Sequence, residues 1–241
     1  MTTTLEDLSL PRVVLVTGTG TEVGKTIATA ALASALTARG ADVGVVKPVQ
    51  TGLLEGEPGD ADVVTTLSGV AAQEWHRLRD PLAPDVAAQR EGSTLPPVVA
   101  HAKQVAGLDN GVVLVEGAGG LLVRLDQRGG TLADMGTALR YLGVSTGVIV
   151  VASAGLGTLN SLALTAEALA ARSLPLLGVV VGDWPDEPGL AEQTNLTQLP
   201  LVAGAPLLGV LPHGAGALEP DSFRSQTPLW FSPDTWATMS A

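Results

Sequence analysis

Short, unbroken runs of aliphatic and β-branched residues punctuate this chain, and between them apolar positions return every three or four residues. Val13 to Val16, Val43 to Val46, Val112 to Val115, Gly147 to Ala152, Leu176 to Val181 and Leu207 to Leu211 are the unbroken runs. Runs of this length suit strands buried on both faces. Between them, Thr26 to about Arg39 carries Ile27, Ala31, Leu32, Ala35 and Leu36 on one stripe, with Gly40 placed to end a helix. Leu132 to Leu142, the stretch through Leu164, Ala168 and Leu169 to Arg172, and Leu190 to Leu199 also predict helices. Strands and helices alternate, so the expected fold is α/β: one domain with a mostly parallel sheet, helices on both faces and right-handed crossovers. Residues 80–97 hold Pro81, Pro84, Pro96 and Pro97 without a sustained period, which predicts an irregular excursion before a short helix carrying His101 and Lys103. Residues 1–11 read as a flexible N-terminus, and residues 213–241 as an irregular tail packed on the body through Trp230, Phe231 and Trp236.

Composition narrows the picture. The 241 residues are 46% apolar but only 3% aromatic, so Val, Leu, Ala and Ile must build the core. A net charge of −11 argues against general affinity for nucleic acid or anionic membrane. With no cysteine there is no disulfide framework, thiol nucleophile or thiolate metal site. The stretch TTTLEDLS at 2–9 lacks the regions of a signal peptide, and no apolar run approaches the roughly 18 residues of a membrane helix, so a cytoplasmic location is expected. His76, His101 and His213 share no metal-ligand spacing and read as surface or satisfied histidines.

The chemistry starts at RVVLVTGTGTEVGKT, residues 12–26. Gly18, Gly20 and Gly24 permit a loop tight enough to turn successive N–H groups inward, and Lys25-Thr26 open a helix whose N-terminus faces the same point. That is a P-loop-like phosphate cradle, in which the lysine reaches the outer phosphates and the threonine hydroxyl takes a place on Mg²⁺. The strict pattern G-x-x-x-x-G-K-[ST] wants glycine at position 19, where Thr19 stands, so the loop is a variant.

Three further places are expected near the cradle. Lys47 ends a strand ahead of Pro48 and Gly52, at the sheet edge where ligands collect, although a lysine before a proline is more often a solvated loop charge. Asp60 lies in the acidic loop LLEGEPGDAD at 53–62, which leads into a helix, and there a helix N-cap is the favoured role and a Mg²⁺ ligand the alternative. Glu116 ends the strand before Gly117-Ala118-Gly119-Gly120 and suits a Mg²⁺ carboxylate opposite the cradle. Gly155 to Asn160 is a second glycine-flanked helix start, open to an anion or else capped by its own Thr158.

Together, GTGTEVGKT at 18–26, KPVQTG at 47–52, VEGAGG at 115–120, LGTLN at 156–160 and APLLGVLP at 205–212 resemble the marks of the dethiobiotin synthetase family, in order over about residues 12–216. The resemblance implies an ATP-dependent step of biotin synthesis, in which 7,8-diaminononanoate and CO₂ close a cyclic urea with release of ADP and phosphate. It implies Lys25 and Lys47 as the catalytic lysines and Thr26, Asp60 and Glu116 as Mg²⁺ ligands. The nucleotide would meet Glu22, Val23, Gly24, Lys25, Thr26, Ile27, Asp60, Glu116, Gly117, Ala118, Gly119, Gly182, Asp183, Pro212, His213 and Gly214. Thr21 and Thr51, with Glu22, would line the substrate site, and Gly157, Thr158, Leu159 and Asn160 of a neighbouring subunit would meet the substrate carboxylate in a homodimer.

Three positions depart from the family pattern. Gly20 replaces a frequent Asp, Gly182-Asp183-Trp184 stands where an Asn-Asp pair usually reads adenine, and Asn195 stands where some relatives have Tyr. The competing reading is a P-loop partner-regulated ATPase of the partitioning or site-selection kind, but Gly18 to Val23 lack the second lysine those proteins usually carry. A GTPase is disfavoured because no Asn-Lys-x-Asp stretch occurs. A regulatory module without turnover would not need Lys47 and Glu116 beside the cradle.

Overall fold

Val13–Gly18 form β1, six consecutive buried residues in the middle of the molecule. Because successive side chains of a strand point to opposite faces, Val13 and Leu15 enter one core while Val14 and Val16 enter the other. A strand with two apolar faces must be covered on both sides, and it is. The structure is a computed structural model that describes residues 10–231.

The elements follow in the order α1 (Lys25–Ala38), β2 (Val43–Lys47), α2 (Asp60–Ser68), β3 (Ala72–Glu74), α3 (Pro84–Glu91), α4 (Val98–Ala106) and β4 (Val112–Gly120). Then come α5 (Leu132–Tyr141), β5 (Thr146–Ala152), α6 (Thr158–Ala170), β6 (Leu176–Trp184), α7 (Leu190–Ala203), β7 (Leu207–Pro212) and α8 (Pro220–Trp230). All seven strands pair in parallel, in the order β3-β2-β4-β1-β5-β6-β7. Helices α1, α2 and α8 pack on one face and α4, α5, α6 and α7 on the other. From β1 the chain crosses towards β2, and from β4 it crosses the opposite way to β5. The crevice beyond the carboxyl ends of β1 and β4 is therefore the switch point at which open α/β sheets bind ligands.

The expected architecture holds, with local differences. Residues 80–97 are not irregular throughout: Pro84 starts α3, its missing N–H costing nothing in a first turn, and Gly92 at φ 66° ends it. Ala87 and Ala88 of α3 close a small core with Val49, Leu78 and Leu95. Beyond His213 the chain forms α8, whose Phe223 and Trp230 meet edge to face at 5.0 Å between ring centroids. Trp230 and Phe231 are buried as expected, while Trp236 lies outside the described residues.

His101 is neither a surface nor a satisfied histidine. It is 1% exposed, its ring stands 5.2 Å from that of His76 and 5.6 Å from Trp75, and neither ring nitrogen has a hydrogen-bond partner among the described residues. Burial, aided by His76, pushes its pKa down to about 4 despite Asp126, so the ring is neutral at pH 7. Among the described residues no helix is long and apolar enough to cross a membrane.

Candidate active site

The cradle closes because two glycines meet. Gly24 adopts φ 84°, open to glycine at little cost, and any Cβ there would lie 2.5 Å from the carbonyl oxygen of Gly182. Glu22 is held at φ 59°, an uncommon conformation for a residue with a side chain and one that clusters at functional sites. Helix α1 then starts at Lys25 with no side-chain cap, leaving its first N–H groups directed into the loop. The Lys25 ammonium donates to the carbonyl of Gly20 at 2.8 Å. Position 20 thus contributes through its backbone, whatever its side chain.

Opposite the cradle, β2 ends in Lys47, whereas Glu116 does not end its strand as expected but stands inside β4, which runs on through the small residues to Gly120. Lys47 and Glu116 are 4% and 2% exposed, so Lys47 is not the solvated loop charge its neighbours suggest. Its ammonium lies 2.7 Å from Glu116 Oε1 and 2.5 Å from Asp60 Oδ2, and donates to the Gly117 carbonyl at 3.3 Å. The Thr26 hydroxyl donates to Glu116 Oε1 at 3.0 Å. Asp60 is the first residue of α2, with Gly59 in the N-cap position, so its carboxylate is free of the capping role and turned towards Lys47.

Electrostatics binds the four charges into one unit. Burial works against the Lys47 charge, but Glu116 and Asp60 outweigh it and hold its pKa above the ordinary lysine value. Lys25 goes the other way: burial and the nearby Lys47 push its pKa down, only partly offset by Glu116 and Asp60. For Asp60, burial is overcome by Lys47, with further help from Thr26 and Glu116, and its carboxyl stays below the usual range.

These groups line a cleft of about 410 Å³ with Thr21, Glu22, Gly24, Ile27, Thr51, Ala118 and Gly119. An adjoining cleft of about 510 Å³ shares Thr21, Thr51, Ala118 and Gly119 and adds apolar walls from Pro81, Leu82, Ala83, Pro84 and Val123. Half of the residues expected at the nucleotide and substrate sites line these two clefts. Gly182 backs the cradle, and Asp183 pairs with His213 at 3.1 Å across the ends of β6 and β7. That pairing raises the His213 pKa. The turn after Gly214 reaches α1, since a Cβ at Gly216 would lie 2.7 Å from the Ile27 side chain. Pro212, His213 and Gly214 therefore sit beside the cradle helix and outside the charged cleft.

Gly157 to Asn160 do not line either cleft. They open α6 at the surface, with Leu156 94% exposed. Asn195, buried under the preceding loop, donates to the carbonyls of Ala154 at 2.7 Å and Gly155 at 3.1 Å. Its part here is to hold the approach to α6.

Sequence reasoning missed Gln50 and the apolar wall at 81–84. Gln50 is buried and accepts from the Asp60 N–H at 3.1 Å while its amide donates to the Thr51 carbonyl at 3.0 Å. A large polar residue flanked by Val49 and Thr51 beside a reactive lysine was the available signal.

A family model described as an AAA domain matches residues 12–219. The chain is 52% identical to the ATP-dependent dethiobiotin synthetase of Streptomyces avermitilis, the match covering 95% of each chain. It is 54% identical to that of Saccharopolyspora erythraea over 88% of this chain and 91% of the relative. Among solved structures, the cell division protein FtsY of Thermotoga maritima superposes at a TM-score of 0.52 with 16% identity, covering 91% of this chain and 69% of its own. The 54 kDa signal recognition particle protein of Aeropyrum pernix gives 0.53 with 19% identity, covering 95% and 48%. At such identities these two structures bear on the fold alone.

Proposed function

The chain belongs to the dethiobiotin synthetase family, and on that premise we propose that it closes the ureido ring of dethiobiotin from 7,8-diaminononanoate and CO₂, converting ATP to ADP and phosphate. The observation that carries this reading is the convergence of Lys25, Thr26, Lys47, Asp60 and Glu116 in one cleft that continues into an apolar one. Phosphoryl transfer asks a protein for positioned charge and little else. The second cleft offers a hydrocarbon chain the walls it needs, and its shared edge at Thr21 and Thr51 would place the two amines beside the lysines.

In the proposed sequence, one substrate amine adds to CO₂ and loses a proton, giving a carbamate. A carbamate oxygen attacks the γ-phosphorus and ADP leaves. The second amine attacks the carbonyl of the resulting mixed anhydride, phosphate departs and the ring closes. Lys25 would exchange its Gly20 carbonyl for phosphate oxygens. Lys47, whose raised pKa keeps it charged, would face the carbamate and the transferring phosphoryl group.

The donor set fits Mg²⁺. Two carboxylates and a hydroxyl, all oxygen, converge where Thr26 meets Glu116 and Asp60, and Mg²⁺ usually takes one or two carboxylates plus substrate phosphates. Bound there, the ion would neutralise charge on the phosphates. Around the start of α6, exposed Leu122, Leu156 and Leu164 support a homodimer in which Gly157 to Asn160 complete the partner's substrate site. The working location is cytoplasmic on this reading.

The test is phosphate release from ATP with diaminononanoate, bicarbonate, both or neither. Release that requires both is expected. Substantial hydrolysis indifferent to the diamine would sink the synthetase reading.

A further inference from the structure

Resting on the assignment of Lys47 and Asp60 to the phosphoryl-transfer cleft, we propose that Arg77, clamped by Glu74, is a positioning residue that sets Asp60 against Lys47. Asp60 begins a helix of nine residues, reached through a stretch that carries Glu55 and Glu57 and is exposed from Leu54 to Pro58. That stretch adds nothing to the buried cores. Something outside it must fix where α2 begins.

Arg77 supplies the fixing. Its Nε and Nη2 donate to the two oxygens of Glu74 at 2.6 and 2.9 Å, and its Nη1 donates to the carbonyls of Leu54 at 3.1 Å and Glu57 at 2.5 Å. Nη2 also lies 3.8 Å from Asp62 in the first turn of α2. A bidentate guanidinium–carboxylate pair has one geometry, unlike a flexible lysine contact, so the loop is held at a defined height above β3. Gly59 rests directly on the pair: a Cβ there would come 2.5 Å from Glu74 Oε2 and 2.8 Å from Arg77 Nη2.

The segment that bears this clamp is itself laced to the Lys47 loop. Trp75 N–H donates to the Lys47 carbonyl at 3.1 Å, Gln50 N–H to His76 at 2.8 Å, and Leu78 N–H to Gln50 at 2.9 Å. The Gln50 side chain then closes the circuit by accepting from Asp60 N–H. Arg77 therefore ties the helix carrying Asp60 to the strand end carrying Lys47. An ångström of slack at the start of α2 would be felt at the carboxylate, on a scale at which misplacement alone can cost about 100-fold.

The experiment is a double-mutant cycle of Arg77→Ala and Asp60→Asn in the full chain. It is read in the Mg²⁺ concentration for half-maximal turnover and, without turnover, in ADP affinity by calorimetry with and without Mg²⁺. Arg77→Ala should raise the Mg²⁺ requirement roughly tenfold and lower Mg²⁺-dependent ADP affinity, while ADP binding without Mg²⁺ stays within about twofold. Added to Asp60→Asn, it should cost almost nothing further. Thermal melting checks the fold, and Glu74→Gln, which keeps the side chain's shape, should reproduce a smaller version of the same pattern if Arg77→Ala does not fold. Additive effects of the two substitutions, or an unmoved Mg²⁺ requirement in the folded variant, would overturn the proposal. If the wild type shows no diamine-dependent turnover while the ADP cycle is still non-additive, the synthetase reading fails and the positioning role stands.

Discussion

Two helices in this protein start the same way and end up in opposite surroundings. α1 follows Gly24 at φ 84° and α6 follows Gly157 at φ 93°, both left-handed, both without a side-chain cap. A helix N-terminus favours an anion by roughly 0.3 to 1 kcal/mol when exposed and up to about 2 when partly buried. Backbone alone therefore makes neither start a strong site. The first gains its power from what surrounds it, two lysines and two carboxylates brought from α1 itself, the end of β2, the middle of β4 and the start of α2. The second has Leu156 and Asn160 open to solvent and the Thr158 hydroxyl buried without a hydrogen-bond partner among the described residues. The alternative in which Thr158 caps its own helix is thus not met.

Removing charge from the first site should have the largest effect. Lys47→Ala or Lys25→Ala should lower kcat by roughly 10² or more, the scale of losing one preorganised group at a transition state. Lys47→Ala also leaves the buried Glu116 and the half-buried Asp60 without the cation that contacts them, so melting should be followed alongside. Near-normal turnover in Lys47→Ala would return that lysine to a structural role. The pH profile sharpens the same point. Lys25 has its pKa lowered from 10.5, so it is charged at low pH and loses its charge, as pH rises, earlier than an ordinary lysine. Since kcat/KM for ATP reports the free enzyme, its alkaline limb should fall below 10.5, and Lys25→Arg should remove that limb.

What was readable in the sequence divides along the same line. The cradle was legible because a buried strand, a glycine loop and a helix follow one another within 15 residues, and Lys47 and Glu116 because each ends an aliphatic run. Asp60 was legible as a carboxylate but favoured as a cap. Its partner Lys47 lies thirteen residues away on another element, and no local pattern reports that contact. Arg77 was missed for the same reason, its targets running from Leu54 to Glu74. α8 escaped because Pro228 lies inside it and only Phe223, Thr227 and Trp230 make its buried stripe. Long-range packing decided each of these against local propensity.

A smaller effect belongs to the second helix start. If a partner's α6 meets the substrate carboxylate, Asn160→Ala removes one hydrogen bond to a charged group, worth about 1.5 kcal/mol or more, and should raise KM for the diamine roughly tenfold. ATP binding and kcat should hardly move, in contrast to the lysine variants. Mixing Asn160→Ala with Lys25→Ala protein should restore some activity, because in a heterodimer one composite site escapes both lesions. A monomer by sedimentation at assay concentration, or an unchanged diamine KM, would contradict the shared site.

The smallest effect expected is the preference for one base over another, and it turns on the glycine that backs the first helix start. A site that hydrogen-bonds a ligand edge can reject the wrong partner by 10⁴ to 10⁵, but Gly182 has no side chain to do so. Nor is there room for one: a Cβ at 182 would lie 2.0 Å from the Val23 carbonyl and 3.0 Å from Gly24 Cα. Closeness of the β6 end to the cradle and an amide at this position are alternatives on this backbone. Asp183, paired with His213, and the backbone of Pro212 to Gly214 are what remain to meet a base. We therefore expect kcat/KM for ATP, GTP and CTP to agree within about tenfold. Gly182→Asn should lower kcat/KM for all three by displacing the loop, without sharpening the choice among them. A strong preference for ATP in the unaltered protein would show that the Asp183–His213 end of the sheet reads the base after all, and a gain of selectivity in Gly182→Asn would show that the cradle can yield where its two glycines touch.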